Sequence, residues 1–349
     1  MGSAVTAEIS YASAIALAIS ECMEQDSSVF CYGIGVPDHL GIFGTTLGLG
    51  ERFGEDRALD TPISEDSLLG FGLGAALLGL RPVNVHIRVD FLMLCMNQLV
   101  NNVSSYQFGN QGQSSVPLTI RAVIGRGWGQ GYQHSKSLHS MFAHIPGLEV
   151  YAPATVAEAY HLTKAAIQSN NPSVILEHRW LYWQEGLISA SADITKGYSL
   201  LSEGQDALVV TTSWMAAEAL MAATELKNQG VEITVVNINT LDKPLPTDVL
   251  TIANSIGRVI VADNDWVFSG YGAELASQLY EACFHSLRSP ILRLGFAATP
   301  TPTPRHMEED FYPNANYIIT SIGRLLNREV EMINVGRLFS HENKFRGPF

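Results

Sequence analysis

Apolar residues along this chain fall into two rhythms that alternate nearly throughout: short continuous runs and stretches with three- and four-residue spacing. Tyr11, Ile15, Ile19 and Cys22 keep helical spacing and lead into the apolar run Val29-Phe30-Cys31-Tyr32, which predicts a helix and then a buried strand. Ser64 is placed to cap a second helix whose interior, Leu68 to Leu80, carries Gly70, Gly72, Gly74 and Gly79. Each glycine costs a helix roughly 1 kcal/mol. A helix that keeps four of them is expected to pack its backbone very close to a neighbour, at a buried interface. Pro82 to Val89 reads as a strand, Phe91 to Ser104 as a helix, Leu118 to Ile124 as a strand and Val156 to Gln168 as a helix leading into the strand Ser173-Val174-Ile175-Leu176.

The rhythm lapses from Leu187 to Tyr198 and then restarts. Strands are predicted at Ala207–Thr212, Glu232–Asn237, Arg258–Ala262 and Ile291–Leu294, with helices at Met215–Asn228, Leu245–Ala253 and Tyr271–Cys283 between them. Strands alternating with helices predict parallel sheets, so the fold class is α/β, with two parallel-sheet domains. The lapse divides the chain into residues 1–190 and 196–333, followed by a tail, 334–349. Ala298 to Arg305, with a proline at every second position, is expected to be an extended loop, and a last helix covers Ala315 to Arg328.

Composition narrows the class. Of the 349 residues 46% are apolar and only 16% are Asp, Glu, Lys or Arg, against a usual charged share of roughly 25%. Disorder is excluded, and so sparse a supply of charge predicts a surface largely covered by other chains. The net charge of -13, with no Lys/Arg cluster against it, speaks against nucleic acid and anionic membrane as partners. Cys22, Cys31, Cys95 and Cys283 are scattered without ligand spacing, as in a reduced compartment. Met1-Gly2-Ser3-Ala4 leads into Glu8 without the basic and apolar regions of a secretory leader, and no stretch nears ~20 apolar residues. The expected location is the cytoplasm.

Four segments stand out: Gly44-Thr-Thr-Leu-Gly-Leu-Gly50 before Phe53-Gly54; Asp60-Thr-Pro-Ile-Ser-Glu65; Gly74-Ala-Ala-Leu-Leu-Gly-Leu-Arg-Pro82; and Gly131-Tyr-Gln-His-Ser135 before Phe142-Ala-His-Ile-Pro-Gly-Leu-Glu-Val150. In order and spacing they resemble the β subunits of thiamine-diphosphate-dependent 2-oxoacid dehydrogenases, the E1 components of the pyruvate and branched-chain type. The likeness continues through Asn170-Asn-Pro-Ser-Val-Ile-Leu-Glu177, Gly270-Tyr-Gly-Ala-Glu274 and Phe311-Tyr312-Pro313.

The resemblance implies a pyrimidine-binding domain followed by a C-terminal domain of the transketolase type. It implies thiamine diphosphate as cofactor, whose C2 proton is taken by its own 4′-amino group once a carboxyl hydrogen-bonds the pyrimidine N1′. Glu65 matches that carboxyl; taken alone, an acid in the first helical turn is more often a capping-box residue. Phe91 matches the aromatic that stacks on the aminopyrimidine, and Ile87 would line the same pocket. Outside the resemblance, these two are a helix-start aromatic and a strand core residue. His134 matches the histidine that faces the substrate. The glycines Gly125, Gly127, Gly129 and Gly131 before it form a loop of the kind active sites use. His139 and His144 are either supporting residues or structural ones. A monovalent cation such as K+ would be held by backbone carbonyls of Leu118, Ala166, Ile167, Ser169 and Asn171, and an ordinary helix end at Asn170-Asn171-Pro172 accounts for the same residues equally well.

Two features depart from the resemblance or limit it. Thiamine enzymes hold Mg2+ and the diphosphate through Gly-Asp-Gly and a later Asn, and this chain has no Gly-Asp-Gly. An α-type chain must then supply that half, which implies an α2β2 assembly and a lipoyl-bearing E2 as acceptor of the acyl unit. Gly33-Ile34-Gly35 stands where an acidic pair is usual, and Arg88 where an uncharged residue is common. Arg88 is either a clamp for an anionic substrate or a strand-end arginine paired near Asp90 or with the partner chain. The competing functions are a 2-oxoacid dehydrogenase β subunit, a split transketolase-like or acyloin-forming subunit, and a non-catalytic stabilising partner of an α chain.

Overall fold

The computed structural model describes residues 8–126, 130–188 and 196–333. Gly127 and Gly129, the N-terminal leader reading at Met1-Gly2-Ser3-Ala4, most of the lapse after Ile188 and the tail 334–349 lie outside the described residues. Thirteen strands are present among them: β1 (Ile9–Ser10), β2 (Val29–Gly33), β3 (Ala58–Leu59), β4 (Arg81–His86), β5 (Thr119–Ile124), β6 (Glu149–Tyr151), β7 (Ser173–His178), β8 (Glu185–Gly186), β9 (Tyr198–Ser202), β10 (Ala207–Thr211), β11 (Ile233–Ile238), β12 (Val259–Trp266) and β13 (Leu292–Phe296). Six form the first sheet in the order β3-β2-β4-β5-β7-β6 and five the second in the order β13-β12-β10-β11-β9, while β1 and β8 pair separately. Every pairing in the first sheet is parallel. Its strands therefore end along one edge, the place where open α/β sheets build sites.

The predicted helices at 156–168, 215–228 and 271–283 stand at those residues. Thr155 and Glu158 form a complete capping box on the first of these, and that helix lies against Tyr11–Gln25. The strand expected to reach Val89 stops at His86, because Val89 already opens a helical turn. The helix expected at Phe91–Ser104 runs from Val89 to Gly109 and changes its winding on the way, with a 3-10 turn at Met93–Cys95 and a π-helical segment at Gln98–Val103. Just after the lapse the structure adds β9, antiparallel to β11 with a register shift between Val235 and Val236.

The glycine-rich helix is Glu65–Leu77, and Ser64 gives it no side-chain cap. Close approach applies at one of its glycines. A Cβ on Gly72 would meet the Tyr32 hydroxyl at 2.2 Å, whereas nothing stands within 4 Å of one on Gly74. Leu78 and Ile63 around it are exposed, while Phe71, itself half open, meets the rings of Tyr32 and Phe30 edge-on at 5.4 and 6.1 Å.

The two domains share buried contacts. Trp180 sits edge-on to Trp214 with ring centroids 4.4 Å apart and to Tyr312 at 5.3 Å. His139 Nε2 lies 2.7 Å from Asp263 Oδ1, both side chains being buried. Burial, the largest single influence, would lower the His139 pKa, but the charges of Asp263 and Asp265 and the hydrogen bond to Asp263 outweigh it and hold the imidazole at about 9. The same contact holds Asp263 below the usual carboxylate range against its own burial. An imidazole raised in the folded state stabilises fully below its unfolded pKa near 6.5 and loses that contribution as pH rises through 9. Melting temperatures recorded from pH 6 to pH 10 should fall across that window, by on the order of 3 kcal/mol of stability. His139→Gln should flatten this limb; an unchanged profile would mean that the pair carries no interdomain load.

Candidate functional site

The carboxyl edge of the first sheet collects residues from four connections. β2 ends at Gly33, β4 runs into Ile87 and Arg88, β5 into Gly125, and β7 into Arg179. The motif residue Asp60 closes one side: its carboxylate accepts from the backbone N–H of Gly35 at 2.8 Å and of Thr61 at 2.9 Å. It thereby fixes the turn after β2 against the segment that opens into Glu65.

Glu65 is the first residue of its helix and is half-buried. A capping box would need the acid two residues further on, and the Glu65 carboxyl takes no part in the hydrogen bonds or ion pairs among the described residues. Burial pushes the Cys95 thiol up to about 12, with the carboxylates of Asp66 and Glu65 adding to the effect. Glu65 is thus close to the helical run that begins beside Phe91. The Phe91 ring is 37% exposed and meets the His134 imidazole edge-on, with centroids 5.2 Å apart. Ile87 is partly buried and packs on a core cluster that runs through both domains. The structure thus brings Phe91 and His134 into contact and leaves one aromatic surface open.

Behind them Arg88 is buried. Its Nη1 donates to the Gly125 carbonyl at 3.1 Å and its Nη2 to the Gln130 side chain. The Gln130 carbonyl accepts from the Ser135 hydroxyl at 2.7 Å, so Arg88 steadies the turn that carries His134. Asp90 pairs with Lys136 at 2.8 Å rather than with Arg88. Burial, with Arg179 second, lowers the Arg88 pKa to about 10. His139 belongs to the interdomain pair described above, and His144 ends the short helix His139–Ala143.

The five carbonyls expected to cage a cation already accept hydrogen bonds. Those of Ile167 and Ser169 take the Arg81 guanidinium at 3.1 and 2.8 Å. Those of Leu118 and Ala166 accept from Ser173 N and Ser169 N, and that of Asn171 from the Ser173 hydroxyl. The chain itself places a positive charge in that cluster. Mg2+ does not fit the site residues either. The metal-type grouping found among the described residues is His139, Asp263 and Asp265, which is taken up by its own ion pair. A cleft of about 600 Å³ lined by Ser140, Asp242 and Tyr271 contains none of Glu65, Phe91 or His134. The pyrimidine half of a thiamine site fits Glu65 and Phe91, whereas the chain has no Gly-Asp-Gly to hold Mg2+ against a diphosphate.

Residues that sequence reasoning missed crowd the same edge. Arg179 lies over Phe43 at 4.2 Å, Tyr182 at 5.3 Å and Trp183 at 5.5 Å, and Arg88 over Phe43 at 5.7 Å. Phe43 is presented by a strained turn, since Ile42 and Phe43 both have positive φ, 42° and 60°, a costly conformation for bulky residues.

The family can now be stated. The transketolase pyrimidine-binding domain matches residues 7–184 and the transketolase C-terminal domain residues 197–318. Among similar proteins, subunit beta-1 of the mitochondrial pyruvate dehydrogenase E1 component of Oryza sativa subsp. japonica is 32% identical over 95% of this chain and 90% of that protein. The 2-oxoisovalerate dehydrogenase subunit beta of Bacillus subtilis (strain 168) is 33% identical over 91% of this chain and 98% of that one. A split-gene transketolase, solved as an inactive β4 tetramer, shares the fold with a TM-score of 0.71 at 20% identity, covering 91% of this chain and 98% of that chain. The chain is a transketolase-fold protein with both domains, and within that fold it belongs to the family of E1 β subunits of 2-oxoacid dehydrogenases.

Gly125 holds the edge together. It adopts φ +74°, and a Cβ on it would lie 2.3 Å from His178 Nε2. Gly125→Ala should cost roughly 2–5 kcal/mol, combining backbone strain with overpacking, as read by urea unfolding. A loss below about 1 kcal/mol would show that the His178 ring yields freely and that the edge is not tightly set.

Proposed function

We propose that this chain is the β subunit of a thiamine-diphosphate-dependent 2-oxoacid dehydrogenase E1-like enzyme, active with an α-type chain that carries Mg2+ and the diphosphate half of the site, in an α2β2 assembly that hands the acyl unit to a lipoyl-bearing E2. The observation that carries this is the open Phe91 ring set against His134, beside a helix start whose Glu65 carboxyl has no partner among the described residues. When bound, thiamine diphosphate would supply a nucleophilic thiazolium carbon for the keto carbon of a 2-oxo acid. Glu65 would hydrogen-bond the pyrimidine N1′, Phe91 would offer its exposed face for stacking, and His134 would bond the substrate carboxylate or move a proton. Ile87 would border the same pocket. The exposed apolar side chains of Ile63, Phe71 and Leu78 around Gly74 support docking of the α chain. At the carbonyls of Leu118, Ala166, Ile167, Ser169 and Asn171 the cation in this reading is Arg81, and K+ is not needed. Residues 1–190 act as the pyrimidine-binding domain and residues 196–333 as the assembling C-terminal domain. No helix among the described residues is long and apolar enough to cross a membrane. A split transketolase-like subunit, acting on aldehydes, has the fold likeness as its support.

Calorimetry should find weak binding of thiamine diphosphate to this chain alone and Mg2+-dependent binding once the α chain is added. Tight binding to the single chain would refute the two-chain reading. Glu65→Gln should leave the assembly intact and slow turnover by about 10²–10⁴-fold, because an amide bonds N1′ without protonating it. Unimpaired turnover in this variant would leave Glu65 as a plain first-turn residue.

A further inference from the structure

Buried guanidinium groups ordinarily sit opposite carboxylates, because removing the charge from water is costly unless an anion replaces the solvent. Arg121 obeys this, forming two hydrogen bonds to Glu177 at 2.6 and 2.8 Å. Arg88 and Arg179, only 3% and 4% exposed, do not. Neither takes part in any ion pair among the described residues, yet they are close enough for the charge of Arg179 to lower the Arg88 pKa. Three buried donors at this place lack an acceptor among the described residues: Arg88 Nε, Arg179 Nη1 and Trp183 Nε1. All three are N–H groups; the orphaned acceptor near them, Asp90 Oδ2, belongs to a carboxylate already paired with Lys136, and its charge is felt by Arg88 but not by Arg179. The half-buried Phe43 ring lies between the two cations, held there by the strained Ile42-Phe43 backbone.

We propose that Arg88, Arg179 and Trp183 form a binding site for an oxyanion, the second anionic group of a dianionic substrate whose keto carbon reacts beside His134. The inference rests on the thiamine-enzyme reading for the reacting end of that substrate. The site itself rests on the donors alone. Two like charges and an indole N–H suit one carboxylate, phosphate or sulfonate accepting from several donors at once. The link to the reacting end is short and made of hydrogen bonds: Phe91 N donates to the Arg88 carbonyl at 3.1 Å, and Arg88 grips Gln130 in the turn bearing His134. A 2-oxo acid with an anionic tail therefore fits this chain better than one with an aliphatic tail.

The test uses the assembled α and β chains. The ratio of kcat/KM for 2-oxoglutarate to that for the neutral-tailed 2-oxohexanoate should favour the dianion, and Arg179→Met should lower this ratio about 10- to 100-fold, the range of a charge-assisted hydrogen bond. Arg179→Lys should recover part of it. 3-Phosphohydroxypyruvate in place of 2-oxoglutarate tells whether phosphate or carboxylate is preferred. Independently of turnover, glutarate should raise the melting temperature saturably where butyrate at equal ionic strength does not, and Arg179→Met should abolish that rise. Saturable stabilisation by glutarate without turnover of any 2-oxo acid would uphold the anion site and sink the proposed function instead. A ratio unmoved by Arg179→Met, or an assembly that weakens in this variant with the ratio intact, would overturn the anion site in favour of a counter-ion supplied by the partner chain.

Discussion

The paired hydrogen bonds between Arg121 and Glu177 stitch two neighbouring parallel strands together at the level where both are fully buried. Burying a full charge in a sheet is tolerated only with its opposite beside it and the remaining lone pairs occupied. The Tyr182 hydroxyl supplies one further donor to Glu177 at 2.8 Å. Tyr182 is thereby fixed, and its ring meets Tyr11 at 6.0 Å and Phe43 at 6.3 Å. Arg179 is seated on that same ring. The neutralised pair inside the sheet is therefore the foundation on which the un-neutralised guanidiniums at its edge are positioned.

The edge is half of a site by construction. Parallel strands deliver their carboxyl ends to one side, which brings Gly33, Arg88, Gly125 and Arg179 together from segments far apart in sequence. Among the described residues no ring contact or hydrogen bond joins the second domain to Phe91, although Thr303 packs closely on Gly131 in the turn before His134. That domain instead braces the first from the side, through Trp214 against Trp180 and Asp263 against His139. Its contribution is rigidity, and the surface left open around Phe71, Leu78 and Phe91 is the surface a second polypeptide would have to complete.

Much of this was legible from periodicity. The helices at 156–168, 215–228 and 271–283 carry clean apolar spacing and clear neighbours. The antiparallel strand Tyr198–Ser202 escaped notice because it lies at the sheet edge, only partly buried along its length, so it shows neither an apolar run nor a strict alternation. The change of winding between Val89 and Gly109 leaves no mark in sequence, since Met93-Leu94-Cys95 and Gln98-Leu99-Val100 are ordinary helix formers. At the site, the proposed roles of Glu65, Phe91 and His134 come from the order of motifs and not from their local chemistry. Arg179 and Trp183 were missed because their meaning lies in what is absent around them, an anion, and absence of a partner appears only once the chain is folded. Phe43 was missed for a different reason: its positive φ is carried without the glycine that usually signals one.

The charge at this edge is opposite to that of the molecule. With a net charge of -13 the chain as a whole repels anions, although screening at physiological salt confines that repulsion to about 8 Å from each exposed charge. Long-range steering therefore offers a dianion nothing, and recognition has to be made at contact, by donors already stripped of water. Such a site gains by its burial. The guanidiniums lose solvent when the chain folds and not when the substrate arrives, so an arriving oxyanion replaces no hydration shell on the protein side. Gly33-Ile34-Gly35 contributes to the same end. Ile34 and Gly35 bring no charge to this edge, and Asp90, paired with Lys136, acts on Arg88 but not on Arg179, so the Arg179 guanidinium is left for a ligand to satisfy.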